Sequence, residues 1–323
     1  MNLTRRTLLR LGLALPAMPA LADTAATALL MGTGAPGGDF ALYGPAWGEF
    51  AAAQAGVSMA YQATGGSSAN ILLIDQGAAQ LGLASVEVAH QARFGTAAWT
   101  AGAKFESFRA LFPAFPSVLQ IVSPRGTGLV SLAELAGQVV GVGPDGSSSA
   151  TTVPGILASL GVQPKATVTG GYIQQVRDML NGKLAACAFI AAPPVPAIAN
   201  VAMTHQFSLI GMSAAEAEQV ARVLPGMTPM VLRAGLFPGQ SIAVGSVGTM
   251  NIAIGAARLP HDLAKAVTEA ALRHAAALAA VVHGPAHLPA TSSVTDAGIT
   301  FHPGAAAALR HAGVSLPEKF VEA

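Results

Sequence analysis

An α/β fold is predicted by two features of the chain. Short apolar runs of β type alternate with stretches of helical periodicity, and three of those runs end in glycine- and hydroxyl-rich turns that open a helix. Length adds a second expectation: 323 residues exceed what one hydrophobic core organises, so two domains are expected.

The elements follow in order. Residues 28–31 read as a first strand, with a glycine-rich turn behind it and a helix over 42–54. A second strand spans 57–62, a helix 69–76 and a third strand 81–84. An extended apolar segment over 117–123 leaves this unit. Ser131 and Glu134 match a capping box, each able to satisfy a free backbone N–H, and the short helix they start runs into a strand over 139–142. Helices over 149–160 and 174–181 and a strand over 186–191 form a second unit. The stretch 224–248 is rich in Gly and Pro and is expected as irregular connection. A strand over 250–254, one long amphipathic helix over 262–282, a loop-like tail over 285–302 and a final helix near 305–313 complete the chain.

Residues 1–22 have the layout of an export signal. Arg5 and Arg6 precede an apolar run from Leu11 to Leu21, and Ala20-Leu21-Ala22 offers a small-residue cleavage site. Thr4-Arg5-Arg6-Thr7-Leu8-Leu9-Arg10 resembles the twin-arginine signal; an ordinary secretory signal with two arginines is the alternative. The run falls short of the roughly 20 apolar residues of a membrane span. A mature protein working outside the cytoplasm, in the periplasm, is therefore expected. Of the 17 Lys and Arg, three lie in this signal, which leaves 14 against 16 Asp and Glu. That balance excludes a strongly basic nucleic-acid binder. The uncharged stretch 184–205 is interrupted by Pro193, Pro194 and Pro196, which argues for a strand and loop rather than a spanning helix. Cys187 is the one cysteine, so no intrachain disulfide forms, and it reads as a buried thiol in a strand.

The three turns are Gly32-Thr33-Gly34-Ala35-Pro36-Gly37-Gly38, Thr64-Gly65-Gly66-Ser67-Ser68 and Gly143-Pro144-Asp145-Gly146-Ser147-Ser148-Ser149. Such turns expose several backbone N–H groups at the positive end of a helix, a ready site for a carboxylate or another anion. Ordinary turn and cap chemistry explains each one taken alone. Three together, at strand ends, point to a ligand crevice. Gly32, Gly34 and Gly37 also satisfy the dinucleotide fingerprint, but the next strand ends in Gln62-Ala63-Thr64 without the acid that reading requires. His283 and His287 are separated by Pro285 and cannot share a regular helix face, so no metal site is expected. Neither a nucleophile elbow nor a phosphate-binding loop with its lysine occurs. No catalytic constellation is found, and neither an enzyme nor a cofactor is expected.

These loops in this order resemble the TAXI subfamily of extracytoplasmic solute-binding proteins, which serve TRAP-type secondary transporters. Besides the three turns, the resemblance rests on Gly77-Ala78-Ala79-Gln80-Leu81-Gly82-Leu83-Ala84, Ser131-Leu132-Ala133-Glu134-Leu135-Ala136-Gly137 and Gly182-Lys183-Leu184. It also rests on Pro194-Val195-Pro196-Ala197-Ile198, His283 and His302-Pro303-Gly304-Ala305. The resemblance implies a two-lobed periplasmic-binding-protein architecture, type II-like, with the ligand cleft between lobes. Lobe one is expected over 23–122 plus 245–323 and lobe two over 123–244. It further implies a small carboxylate such as glutamate, glutamine or 2-oxoglutarate as ligand, a TRAP permease as partner, and a monomer. An ABC-type or sensor-associated binding protein of the same fold is the alternative.

The ligand-binding residues expected on this basis are Gly34, Gly38, Asp39, Phe40 and Tyr43 after the first strand, and Gly66, Ser67 and Ser68 after the second. Ser85 and Glu87 follow the third strand; Ser147, Ser148, Ser149, Pro194 and Val195 come from the second unit. Several residues depart from the family pattern. Asp39 stands where the family has serine or threonine, and it would repel an anion, pair with a ligand ammonium group, or simply cap the following helix. Ala185 and Gln80 each replace an aspartate. Phe40 and Tyr43 serve either as a pocket wall or as core aromatics, and Glu87 either faces the cleft or caps a helix. No arginine lies in these loops, so a carboxylate would be held by backbone N–H groups and hydroxyls.

Overall fold

The computed structural model describes residues 28–283 and 290–321, so the export signal expected at 1–22 lies outside the described residues. Strand β1 (Ala28–Gly32), helix α1 (Phe40–Ala55), β2 (Ser58–Gln62), α2 (Ser67–Asp75), β3 (Leu81–Ser85) and α3 (Val86–Phe94) come first. A 17-residue strand β4 (Phe108–Pro124) leads to β5 (Val139–Gly141), α4 (Ser148–Ser159), β6 (Ala166–Val168) and α5 (Tyr172–Leu180). Then follow β7 (Ala186–Ala191), α6 (Pro196–Ala202), β8 (Phe207–Ile210) and α7 (Ala214–Val223). Strands β9 (Met227–Leu232) and β10 (Val244–Ala256) precede α8 (His261–Arg273), α9 (Ala275–Val281), α10 (Ser292–Asp296) and α11 (Pro303–His311).

The strands run β2-β1-β3-β10-β4-β7-β5-β6. At one end β2, β1 and β3 are parallel, and at the other β7, β5 and β6 are parallel. Each trio is wound with helices, as parallel strands require crossovers that bury both faces. Between them stand the long antiparallel strands β4 and β10. Partners change along both: β4 pairs with β10 up to Val118 and with β7 from Val118 to Val122. β10 pairs with β9 from Val244 to Thr249 and with β3 from Asn251 to Gly255. Two continuous strands thus join the two halves of a two-lobed fold.

Each half has its own apolar filling. Trp47, Phe112, Ile71 and Leu83 belong to the first core, where Trp47 meets Phe112 edge-on at 5.1 Å and donates to the Val267 carbonyl at 3.1 Å. In the second half β7 alternates as a buried strand must. Ala186, Ala188 and Ile190 face α4 and α7, while Cys187, Phe189 and Ala191 face α5 and α6. Cys187 is the buried thiol expected, and burial pushes its pKa up.

Several expectations are corrected. The stretch 224–248 is no loop: it closes α7 and holds β9, the hairpin turn and the start of β10. β9 pairs only with β10, and an edge strand tolerates Pro229 because the missing N–H costs no ladder bond on its open side. The helix over 262–282 is two helices, α8 and α9, broken at His274, whose ring stacks on Phe50 at 4.0 Å. The tail contains the five-residue helix α10. Only half of the box at Ser131 forms: Glu134 accepts from the N–H groups of Val130 and Ser131, but no side chain caps the three-residue turn over 133–135. A complete box occurs instead at Ser213 and Glu216, opening α7. His302 caps α11, accepting from Gly304 N at 3.1 Å through Nδ1 while Nε2 meets the Leu259 carbonyl at 2.8 Å. That role accounts for the histidine without a ligand.

Candidate ligand cleft

The turns after β1, β2 and β5 lie at the carboxyl ends of parallel strands, where open α/β sheets bind ligands. Asn70, fully buried on α2, ties the first two together: its amide donates to the Thr33 and Leu83 carbonyls, both at 2.8 Å. Thr64 adds a hydroxyl that lies 2.7 Å from Asn70 Oδ1 and accepts from Gly66 N at 3.1 Å. From the other half, Ser147 caps α4 by accepting from Ala150 N at 3.1 Å. The start of α2 has no side-chain cap; its Ser68 N–H instead donates to the Gly146 carbonyl across the gap at 3.1 Å.

The halves touch directly. The Ser67 and Ser148 hydroxyls are 2.7 Å apart, Ser148 reaches Ser85 at 3.1 Å, and Ser85 N donates to Ser67 at 2.9 Å. A side chain at Gly65 would overlap the Asp145 carbonyl. Between them lies a cavity with room of about 20 Å³, the scale of one or two waters. Gly34, Gly38, Asp39, Phe40, Gly66, Ser67, Ser147 and Ser148 line it, with Ala35 and Gly65 of the same turns, and so do Ser117, Tyr172, Ile190 and Asn251, which sequence reasoning missed. Ser117 and Asn251 come from β4 and β10 where the strands change partners, and a single polar residue inside a strand carries no local signal of a site. Tyr172 opens α5, and its ring lies against both Gly38 and Gly143, so it spans the two halves.

The remaining expected residues lie elsewhere. Tyr43 is in the first core, 4.7 Å from the Phe115 ring, and its hydroxyl has no partner among the described residues. Ser68 bonds the Gly146 carbonyl, Ser85 caps α3, and Ser149 accepts from Ile190 N at 2.8 Å. Pro194 lines a second cavity of about 210 Å³ with Leu42, Pro196 and His283, and Asp39 borders both cavities; Val195 is buried, donating to Gln120 at 3.1 Å. Glu87 does not face the cavity; it is buried behind it.

Among the described residues Asp39 is the only acid on the cavity wall, and no Lys, Arg or His lines it. Its carboxylate accepts from Phe40 N at 2.9 Å, Ala192 N at 2.6 Å and the Ser117 hydroxyl at 3.2 Å. It therefore caps α1 and bridges to the segment after β7. Burial raises its pKa despite these donors. Burial and the nearby Asp39 charge push Tyr172 up to about 12. Such a wall combines serine hydroxyls and glycine-rich backbone with one carboxylate, which the Ser117 hydroxyl reaches. Among the described residues no group of His, Cys, Asp and Glu could hold a metal ion, and no helix is long and apolar enough to cross a membrane.

Two wound halves joined by crossing strands, with a polar cavity between them, define the fold of periplasmic solute-binding proteins. A structure described as a periplasmic transporter matches with a TM-score of 0.56 at 12% identity, over 90% of this chain and 97% of the other. A putative L-cystine ABC transporter from Listeria monocytogenes matches at 0.52 and 12%, over 81% and 98%. The GluR0 ligand-binding core from Nostoc punctiforme in complex with L-glutamate matches at 0.51 and 17%, over 80% and 100%. Residues 31–313 match the NMT1-like family, and the chain belongs to it.

Proposed function

We propose that this protein is an extracytoplasmic solute-binding protein that captures a small organic solute, a carboxylate or an amino acid, by closing its lobes. It then delivers the solute to a TRAP-type permease, as the TAXI resemblance implies. The observation that carries the reading is the meeting of α2 and α4 at one cavity, with hydroxyls from both halves in contact. Closure gathers donors that neither half supplies alone, and only contacts special to the closed form drive it. Lobe one is taken as 23–122 plus 245–323 and lobe two as 123–244; the partner changes at Val118 and between Thr249 and Asn251 fall within a few residues of both limits. The mature form is a periplasmic monomer without catalytic activity, released from its export signal.

An ABC-type partner is the second reading, favoured by the likeness to a putative L-cystine ABC transporter. A thermal-shift screen over amino acids, mono- and dicarboxylates tests the first step. A bound solute at a hundred times its Kd stabilises by about 2.7 kcal/mol. Silence across the panel would remove the solute-binding reading. Co-purification with a TRAP or an ABC membrane subunit decides between the two partners.

A further inference from the structure

Glu87 is buried to 1% exposure at the seam between the halves, and no function assigned above uses it. From its own half, Gln91 Nε2 donates to Oε1, and Trp99 Nε1 fixes that amide by donating to Gln91 Oε1 at 2.8 Å. The other cover comes from across the seam. Thr152 of α4 places its hydroxyl 2.6 Å from Oε2, and Gly226, just before β9, lies so close that a Cβ there would press on the Glu87 backbone at 2.8 Å. Thr249 of β10 completes the shell, its hydroxyl accepting from Glu87 N at 3.4 Å.

Among the described residues no cation faces the carboxyl. α4, β9 and β10 contain no ionisable residue. On α3 itself His90 is turned to the Ala297 carbonyl at 2.9 Å, and Arg93 reaches Glu106 at 3.7 Å. On the neighbouring α2, Asp75 accepts from Ser107 at 2.7 Å, and α7 contributes Glu216, held in its own capping box, with Glu218 beside Arg222 at 3.9 Å. An unpaired carboxylate is costly in such a place, and a protonated carboxyl is not.

We propose that lobe closure takes up a proton at Glu87: closing seals the carboxyl under Thr152 and Gly226, and opening returns it to water as a carboxylate. The inference rests on the closure reading above. Burial pushes the closed-form pKa up to about 8, against 4.5 for an ordinary glutamate. The raised value favours the closed form at low pH. Its advantage is complete below about 4.5 and is lost as pH rises through about 8, the closed-to-open ratio falling about tenfold per pH unit between them. Solute would be held more firmly in acid and released more readily in alkali.

Small-angle scattering of the ligand-free mature chain over pH 4.5–9 tests this. Wild type is expected to expand as pH rises, while E87Q stays at the compact acid value throughout; E87A serves as a second uncharged variant should E87Q lose its native circular dichroism. A radius of gyration independent of pH in wild type, or the same pH response in the uncharged variant, overturns the proposal. No solute enters the measurement, so its failure is distinct from failure of the solute screen.

Discussion

The hydroxyls of Ser67 and Ser148 stand 2.7 Å apart, although 81 residues separate them in sequence. Each opens a helix on a different half, and Ser85 completes the chain behind them at 3.1 Å. In an open form all three hydroxyls would be hydrated, so their mutual bonds count only toward the closed form. Ser148→Ala leaves two buried hydroxyls short of a partner, at a cost of about 1–3 kcal/mol to closure. Calorimetry with the solute found by thermal shift is expected to give an affinity about 5- to 150-fold weaker. An unchanged Kd would mean that these serines do not meet in the bound state.

Gly65 gives a purely steric test of closure. A methyl group there overlaps the Asp145 backbone carbonyl, which cannot rotate away as a side chain could. Gly65→Ala should leave the ligand-free protein within about 0.5 kcal/mol of wild type, since the residue sits in a turn. The stabilisation by solute should vanish in the same thermal-shift assay. Full retention of that gain would show that the bound form keeps the halves further apart.

Tyr43 separates core from cleft. Its ring is buried against Phe115 and its hydroxyl has no partner among the described residues. Removing an unsatisfied buried donor is neutral or favourable, so Tyr43→Phe is expected to hold or raise stability by about 0–1 kcal/mol in urea unfolding. Solute affinity should not change. A several-fold loss would bring Tyr43 into the binding wall.

Much of the fold is legible in the chain because local signals and tertiary structure agree. The strand over 186–191 is an apolar run bounded by lysine on one side and prolines on the other, and β7 has those limits. The turns over 32–38, 64–68 and 143–149 combine glycine with hydroxyls between a strand and a helix, and parts of all three line the cavity. Signals failed where composition and tertiary role diverge. Pro113 and Pro116 hide most of β4, since prolines in a central strand argue against it; here they sit at an irregularity in the pairing with β10. Pro229, Pro238 and five glycines hide the β9–β10 hairpin in the same way. Ser117, Asn251 and Tyr172 reach the cavity only because two strands cross between the halves and α5 starts opposite α1, and such distances leave no mark on neighbouring residues.

On the proposed solute-binding reading, Asp39 sets the charge that a solute meets in the cavity. Serine hydroxyls and glycine-rich backbone line the wall, yet its one carboxylate is that of Asp39, and no Lys, Arg or His of the described residues lies on it. A dicarboxylate would meet repulsion there, whereas an ammonium group would find the partner that the carboxylate lacks. Asp39→Ser keeps a capping oxygen for α1, because serine is among the best N-cap residues, and removes the charge. It also strips Ala192 N of its acceptor, a loss of about 1 kcal/mol in stability. The variant is expected to bind dicarboxylates at least about tenfold more tightly and amino acids correspondingly more weakly, a ΔΔG of about 1.4 kcal/mol in each direction. Parallel titrations with glutarate and with an amino acid of similar length would read the two shifts. Equal Kd values for both ligands in wild type and variant would confine Asp39 to holding α1 and the segment after β7 together.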